Sequence, residues 1–127
     1  MLYNKSRTTI VFYRNENGRM PVKESLEALS EPDQAKAAAH ISLLEVSGHT
    51  LGEPHVKLLR DKLRELRFKI SSGQYRIIFF FHAGDGVVLV HTLQKRTQET
   101  PIQDLNLAVK RMKDWHKTYG GPNEKRG

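Results

Sequence analysis

The residues best suited to chemistry lie between Lys57 and Arg76, where seven basic side chains accompany only two acidic ones. Arginine can donate two parallel hydrogen bonds to phosphate oxygens, and lysine supplies a compact charge on a flexible stem. A cluster of both types, with Glu65 as a carboxylate among them, favours a phosphate-binding site. The cations expected to adjoin the core strands are Arg64, Arg67, Lys69 and Arg76.

Charge is unevenly distributed along the 127 residues, whose formal net charge is +7. Residues 1–56 carry a net charge of −1, whereas residues 57–127 carry +8. Concentrated positive charge favours a polyanionic partner, and nucleic acid is the commonest such partner in a cell. The alternative is a solvated surface on which Glu65 forms ion pairs with Arg67 and Lys69, and such pairs contribute little to stability.

Composition excludes several classes of site. The chain has no cysteine, so disulfides and thiolate metal ligands are excluded. The histidines do not show the spacing of metal ligands, and we expect neither a metal nor another cofactor. The longest apolar run, Ile77–Phe81, is too short to span a bilayer, and the first residues lack the pattern of a signal peptide. We therefore expect a soluble, cytoplasmic protein.

The first half of the chain predicts one strand followed by two helices. Residues 7–15 are rich in β-branched and aromatic side chains, as in a strand. Pro21 begins a segment whose apolar residues recur at helical intervals. Ser30 is the candidate N-cap of a second helix, and Gly48 can end that helix. Residues 48–61 are predicted to form a loop.

Three strands are predicted next, and the first of them alternates charged and apolar residues. In Leu63–Ile70, the side chains of Leu66 and Phe68 lie on one face, while those of Glu65 and Arg67 lie on the other. A hairpin turn should bring Arg76 beside this second face, which we expect to be solvent-exposed and opposite the two helices. The predicted turns and strands are a turn at Ser71–Gly73, a central strand at Gln74–His82, a turn at Ala83–Gly86 and a last strand at Val87–Lys95.

The final helix has a clear predicted start, and it completes the fold prediction. Thr100, Pro101 and Gln103 match a capping box with proline at the first helical position. The apolar stripe of this helix comprises Ile102, Leu105, Val109, Met112 and Trp115. The element order β-α-α-β-β-β-α predicts an α+β domain over residues 1–118, with an antiparallel sheet, two N-terminal helices on one face and a C-terminal helix. Residues 119–127 are predicted to be a disordered polar tail.

Four segments, in this order and spacing, resemble the RelE/HigB superfamily of toxin–antitoxin toxins, and more narrowly its phage-derived branch. Members of that branch carry a short "ELR" strand, a "YR" strand, and a basic segment that ends in "TP" before a helix. The resemblance covers roughly residues 11–115. The matching segments are "LRELRF" (Leu63–Phe68), "YRIIFFF" (Tyr75–Phe81), "VVLVHTLQKRTQETP" (Val87–Pro101) and "DLNLAVKRMKDW" (Asp104–Trp115).

The resemblance implies a small RelE-like fold and a ribosome-dependent mRNA endonuclease without metal or cofactor. Such a toxin occupies the ribosomal A site, where the 2′-hydroxyl of the mRNA attacks the adjacent phosphate and leaves a 2′,3′-cyclic phosphate. The protein must orient the nucleotide, stabilise the added negative charge and move protons. The resemblance places this work on basic residues of the open sheet face.

Residue by residue, the resemblance assigns a catalytic set. Arg76 matches the arginine of "YR", and we expect it to be the main phosphate ligand and to lie at the protein surface. Lys69 or Glu65 is the candidate base at the 2′-hydroxyl. The remaining assignments are Arg67 as a further basic position, Lys95 or Arg96 at the leaving oxygen, and Lys57, Arg60, Lys62 and Arg64 as RNA-binding cations.

The resemblance also implies partners and leaves alternatives open. The expected partner is an antitoxin with a helix-turn-helix, whose acidic surface would cover the cations; a homo-oligomer is left open. Some superfamily members bind without cutting, so a non-catalytic nucleic-acid-binding module, such as a decayed prophage toxin, is the alternative.

Some relatives use a C-terminal His or Tyr as acid, and His116 and Tyr119 are unaligned candidates. His91 is interpreted as a packing residue of the last strand.

Overall fold

A computed structural model describes residues 8–82, 86–94 and 99–121 of the chain. Its elements follow the predicted order, with one additional short strand in the segment predicted as a loop. The strands are β1 (Thr9–Phe12), β2 (Val56–Leu58), β3 (Arg64–Ile70), β4 (Gly73–His82) and β5 (Gly86–Leu93). The helices are α1 (Pro21–Glu27), α2 (Glu31–Ser47) and α3 (Ile102–Tyr119).

The strands of the described residues form one sheet in the order β1-β5-β4-β3-β2. Strands β3, β4 and β5 pair antiparallel, as predicted, and the additional strand β2 pairs antiparallel with β3, whereas β1 pairs parallel with β5. Two helices and further strands separate β1 from β5 in sequence, and a parallel pair requires a long connection of this kind. The predicted α+β class is confirmed, but the sheet is mixed rather than wholly antiparallel.

Each face of the sheet has its own apolar core. On one face, α1 and α2 cover the side chains of Leu66, Phe68, Ile70, Tyr75, Ile77, Phe79 and Leu89. On the other face, α3 covers the side chains of Leu63, Ile78, Phe80, Val88, Val90 and Leu93. This double coverage explains why β4 is apolar on both faces along most of its length. The molecule therefore has three layers, with the sheet in the middle.

The helix ends follow the sequence signals only in part. The Ser30 hydroxyl accepts a hydrogen bond from the Asp33 amide (3.3 Å), and α2 ends at Gly48 with φ of 55°, so both predicted signals are confirmed. The predicted capping box at Thr100 is wrong, because α3 begins one residue after Pro101 and its N-cap forms no side-chain hydrogen bond. In the described part of the chain, no helix has the length and apolar character needed to cross a membrane.

Asp33 links α2 to the turn between β3 and β4. Its buried carboxylate accepts hydrogen bonds from the Ser71 amide (3.0 Å) and the Ser71 hydroxyl (2.7 Å). These bonds favour the charged carboxylate and hold the pKa of Asp33 below its usual value. The β3–β4 hairpin, which carries most of the predicted site, is thereby attached to the α1/α2 layer.

Candidate functional site

The β3–β4 register places Arg67 directly opposite Arg76. Directly opposite residues project from the same face of an antiparallel pair, so the two side chains lie side by side. Lys69, two residues further along β3, lies opposite Gln74 on that face. Since Leu66 and Phe68 face α1 and α2, the cations project from the opposite face, as the alternation predicts. We refer to Arg67 and Arg76 as the arginine pair.

Glu65 is the buried counterion of the arginine pair. Its side chain is fully buried, and its Oε1 accepts a hydrogen bond from the Arg67 Nε at 2.8 Å. Its Oε2 lies 4.0 Å from the Arg76 Nη1. The expectation that Glu65 faces solvent is therefore wrong. A carboxylate beside two guanidinium groups offsets their mutual repulsion, which allows the cations to lie this close together.

Arg76 is also buried, with 1% of its side chain exposed. It lies in the middle of the sheet, opposite Arg67 on one side and Leu93 on the other. Its Nε donates a hydrogen bond to the Oε1 of Gln74 at 3.1 Å. The expectation of a surface side chain is wrong, because Arg67, Leu93 and the buried Glu65 surround Arg76 on this face. The sequence alone indicates only the face.

The exposed part of the site consists of Arg67 and Lys69. The Arg67 side chain keeps 19% of its surface accessible, and Lys69 is exposed near the end of β3. Lys57 is partly buried on β2 and lies opposite Glu65, so it projects from the same face. The accessible cations therefore border the buried Glu65–Arg76 contact.

The other predicted RNA-binding cations lie apart from this group. Arg64 projects from the α1/α2 face, where its guanidinium lies 5.1 Å from the centre of the Phe81 ring. The exposed Arg60 donates a hydrogen bond to Asn106 of α3 at 2.5 Å. Lys62 lies in a cleft beside Lys113 and His116. This cleft is at the C-terminal end of β4, whereas Arg76 lies near the N-terminal end of that strand. Lys95 and Arg96 lie outside the described residues.

Thr100 is a site residue that the sequence analysis assigned to a helix cap. Its hydroxyl donates a hydrogen bond to the Oε2 of Glu65 at 2.8 Å. Gln74 was also missed, although its position two residues before Arg76 places it on the same face of β4. The two-residue period of a strand could therefore have identified Gln74 from the sequence. No local signal identifies the contact between Thr100 and Glu65, because 35 residues separate them in sequence.

His91 contacts polar groups of α3 in addition to the core. Its Nε2 donates a hydrogen bond to the Oδ1 of Asp104 at 2.7 Å, and Arg111 donates to its Nδ1 at 3.3 Å. Arg111 is a donor only, so this geometry assigns the proton to Nε2. The imidazole is thereby held between two side chains of α3. The interpretation of His91 as a packing residue omitted these polar contacts.

The two C-terminal candidates for an acid lie at the other end of the sheet from Arg76. The His116 ring packs edge-on against Phe80 at 5.1 Å, and its Nδ1 donates a hydrogen bond to the Gly120 carbonyl at 3.1 Å. Tyr119 is 60% exposed beside Trp115. Among the described residues, no three carboxylate or imidazole side chains converge as ligands for a metal ion.

Comparison with known proteins identifies the family. The family model described as "Phage derived protein Gp49-like (DUF891)" matches residues 24–113, which include the second half of α1, all of α2, the β3–β4 hairpin and most of α3. The chain belongs to the phage-derived Gp49-like family. The predicted resemblance to the phage-derived branch of the RelE/HigB toxins is confirmed.

Two curated relatives extend the similarity of this Gp49-like chain beyond the family segment. Both are described as "Probable endoribonuclease HigB1", from Mycobacterium tuberculosis strains CDC 1551 / Oshkosh and ATCC 25618 / H37Rv. Each is 28% identical over 109 residues, covering 86% of this chain and 85% of the relative. The similarity thus spans nearly the whole of both proteins.

Proposed function

We propose that this Gp49-like chain is the toxin of a toxin–antitoxin pair and cuts mRNA on the translating ribosome, in the cytoplasm, without a metal ion. The observation that carries the proposal is the arginine pair, which lies with Lys69 on a rigid hairpin and beside a buried carboxylate. The similarity to proteins named probable endoribonucleases supports RNA as the substrate.

The proposed reaction is an attack of the mRNA's own 2′-hydroxyl on the adjacent phosphate. A bond forms between the 2′-oxygen and phosphorus, the bond from phosphorus to the 5′-oxygen breaks, and a 2′,3′-cyclic phosphate results. The phosphate gains negative charge in the transition state, so fixed cations stabilise that state more than the ground state. The protein's task is to supply those cations at fixed positions.

The role that we propose for each side chain follows from its burial. Arg67 is accessible, so it is proposed to donate the forked contact to the phosphate that the sequence analysis assigned to Arg76. Arg76 lies beside it but is buried, so its positive charge acts through protein rather than water and is therefore less screened. Lys69, at the exposed rim, is the proposed proton acceptor for the 2′-hydroxyl, and Lys95 or Arg96 the proposed group at the leaving oxygen.

The test replaces Arg67 by alanine and measures cleavage of a translated message by primer extension. Removal of a contact to the developing charge typically lowers the rate about 10²–10³-fold. We expect that loss for Arg67→Ala at equal folded concentration. The matched control is Arg14→Ala, because Arg14 is exposed and follows β1, at the opposite edge of the sheet from β2.

Cleavage by Arg67→Ala at the parent rate would contradict the proposed site. A parent protein that binds RNA in a salt-sensitive manner but leaves no cuts would favour the alternative, a non-catalytic nucleic-acid-binding module. Salt sensitivity alone does not distinguish the two functions, because both depend on the same cations.

The proposed partner is an antitoxin that carries a helix-turn-helix and an acidic surface complementary to the basic half of this chain. Opposite surface charges accelerate association, and salt screens them. We expect expression of the chain alone to arrest growth and co-expression with its antitoxin to restore it. Harmless expression of the folded chain alone would contradict this proposal, and the Arg67→Ala variant is the matched non-toxic control.

A further inference from the structure

We infer that Thr100 is a positioning residue, which orients Arg67 for RNA cleavage through the buried carboxylate of Glu65. The inference rests on the proposed function and assigns Glu65 to orientation rather than to proton transfer. Thr100 lies just before α3, whereas Glu65 and Arg67 lie on β3. A single carboxylate therefore connects the segment that leads into α3 with the site on the hairpin.

The contacts of Glu65 carry this inference. Its Oε1 accepts from the Arg67 Nε at 2.8 Å and its Oε2 accepts from the Thr100 hydroxyl at 2.8 Å. The side chain is fully buried, so water cannot replace either donor without a rearrangement. Both oxygens are thus directed at protein donors rather than at the exposed rim, which is poorly suited to a base that must reach an RNA hydroxyl.

The geometry of arginine explains how the effect would reach the RNA. The guanidinium is planar and its five N–H groups have fixed directions. A hydrogen bond from Nε to a fixed carboxylate oxygen therefore sets the directions of the two terminal nitrogens of Arg67. Loss of the Thr100 donor leaves the Oε2 of Glu65 with a weaker set of partners, and the carboxylate can turn towards the Arg76 Nη1, 4.0 Å away. Such a turn would reorient Arg67.

The test compares Thr100→Val with Thr100→Ser. Valine keeps the β-branched shape and removes the hydroxyl, whereas serine keeps the hydroxyl. A small misplacement of a catalytic group can lower the rate by up to about 10²-fold, so we expect Thr100→Val to cleave at least about tenfold more slowly. The half-saturating concentration of ribosome–mRNA complex should change little, and Thr100→Ser should cleave like the parent.

Two further measurements separate positioning from folding. Thermal unfolding gives the folded fraction at which each variant is assayed. Thr118→Val is the matched control, because the Thr118 hydroxyl is exposed and bonds to the Asp114 carbonyl within α3, towards the other end of the helix. The NMR resonance of the Arg67 Nε–H group should move in Thr100→Val and stay in place in Thr100→Ser and Thr118→Val.

Parent-like cleavage by folded Thr100→Val, with an unchanged Arg67 resonance, would overturn the inference. Equal losses for Thr100→Val and Thr100→Ser would also overturn it, because the hydroxyl would then have no role. Absence of cleavage by the parent would contradict the proposed function. In that case the Arg67 resonance alone tests whether Thr100 orients Arg67 through Glu65. A shift in Thr100→Val only would support this linkage, and an unchanged resonance would refute it.

Discussion

The two faces of the β3–β4 hairpin carry different kinds of side chain. On the face of α1 and α2, the side chains of β3 and β4 are apolar along the hairpin, from Leu66 to Ile70 and from Tyr75 to Phe79. On the face of α3, apolar residues such as Ile78 and Phe80 give way towards the turn to a polar group. That group comprises Glu65, Arg67, Lys69, Gln74 and Arg76.

Within this one pair of strands, one face contributes mainly to stability and the other carries the proposed function. Apolar burial on the α1/α2 face stabilises the fold by excluding water. The buried Glu65–Arg76 region must instead offset the loss of hydration of its charges, and a buried ion pair is weak evidence for a gain in stability. The charged face is therefore better explained by a function that needs fixed cations.

The largest expected effect follows from removal of the buried carboxylate. Glu65→Leu leaves Arg67 and Arg76 without their counterion, and breaking a buried pair in this way typically lowers the free energy of unfolding by about 3–5 kcal/mol. The double variant Glu65→Leu/Arg76→Met replaces both buried charges by apolar groups. We expect urea unfolding to show that it regains most of the lost stability, while cleavage remains abolished.

A double variant as unstable as Glu65→Leu would show that these charges stabilise the fold, and would remove the contrast between the faces.

The matched control is Leu66→Ala, since Leu66 is the next residue on β3 and is fully buried on the other face. Large-to-small core substitution typically costs about 2–5 kcal/mol. We expect that loss with cleavage per folded molecule unchanged, because Leu66 points away from the site.

The smallest expected effect concerns how the α1/α2 layer holds the hairpin turn. The hydrogen bonds from Ser71 lower the pKa of Asp33, so the unfolded chain takes up this proton at higher pH than the folded protein does. The contribution to stability is then complete above the pKa of the unfolded chain, near 3.8, and is lost as pH falls through the lower folded value. Ser71→Ala should weaken this acid dependence, as measured by urea unfolding between neutral and acidic pH.

An unchanged acid dependence in Ser71→Ala would show that the Asp33 link is unimportant. Ser72→Ala is the matched control in the same turn, because the Ser72 hydroxyl contacts Gln94 rather than Asp33. Cleavage should remain near the parent rate in Ser71→Ala, since the Ser71 amide still donates to Asp33.

Apart from the short strand β2, the order of the described helices and strands was predictable, as was the face of the β3 and β4 residues near the turn, because both depend on short-range patterns. The two-residue alternation in β3 and the turn after Ile70 place Arg67 and Arg76 on one face without any tertiary information. The Ser30 cap and the end of α2 at Gly48 likewise depend on local hydrogen bonds and backbone conformation. The sequence by itself therefore determined which cations face the same direction.

The tertiary structure decided which of those cations are covered, and by what. Glu65 is covered by the segment before α3, which bonds to it through Thr100, and Arg76 lies on the same face between Arg67 and Leu93. These neighbours come from distant parts of the sequence. Thr100 has the local pattern of a cap, yet its hydroxyl reaches Glu65 because the segment before α3 lies against β3. The physical reason is range: periodicity and capping act over a few residues, whereas burial of a charge and the identity of its partner depend on the packing of the whole chain.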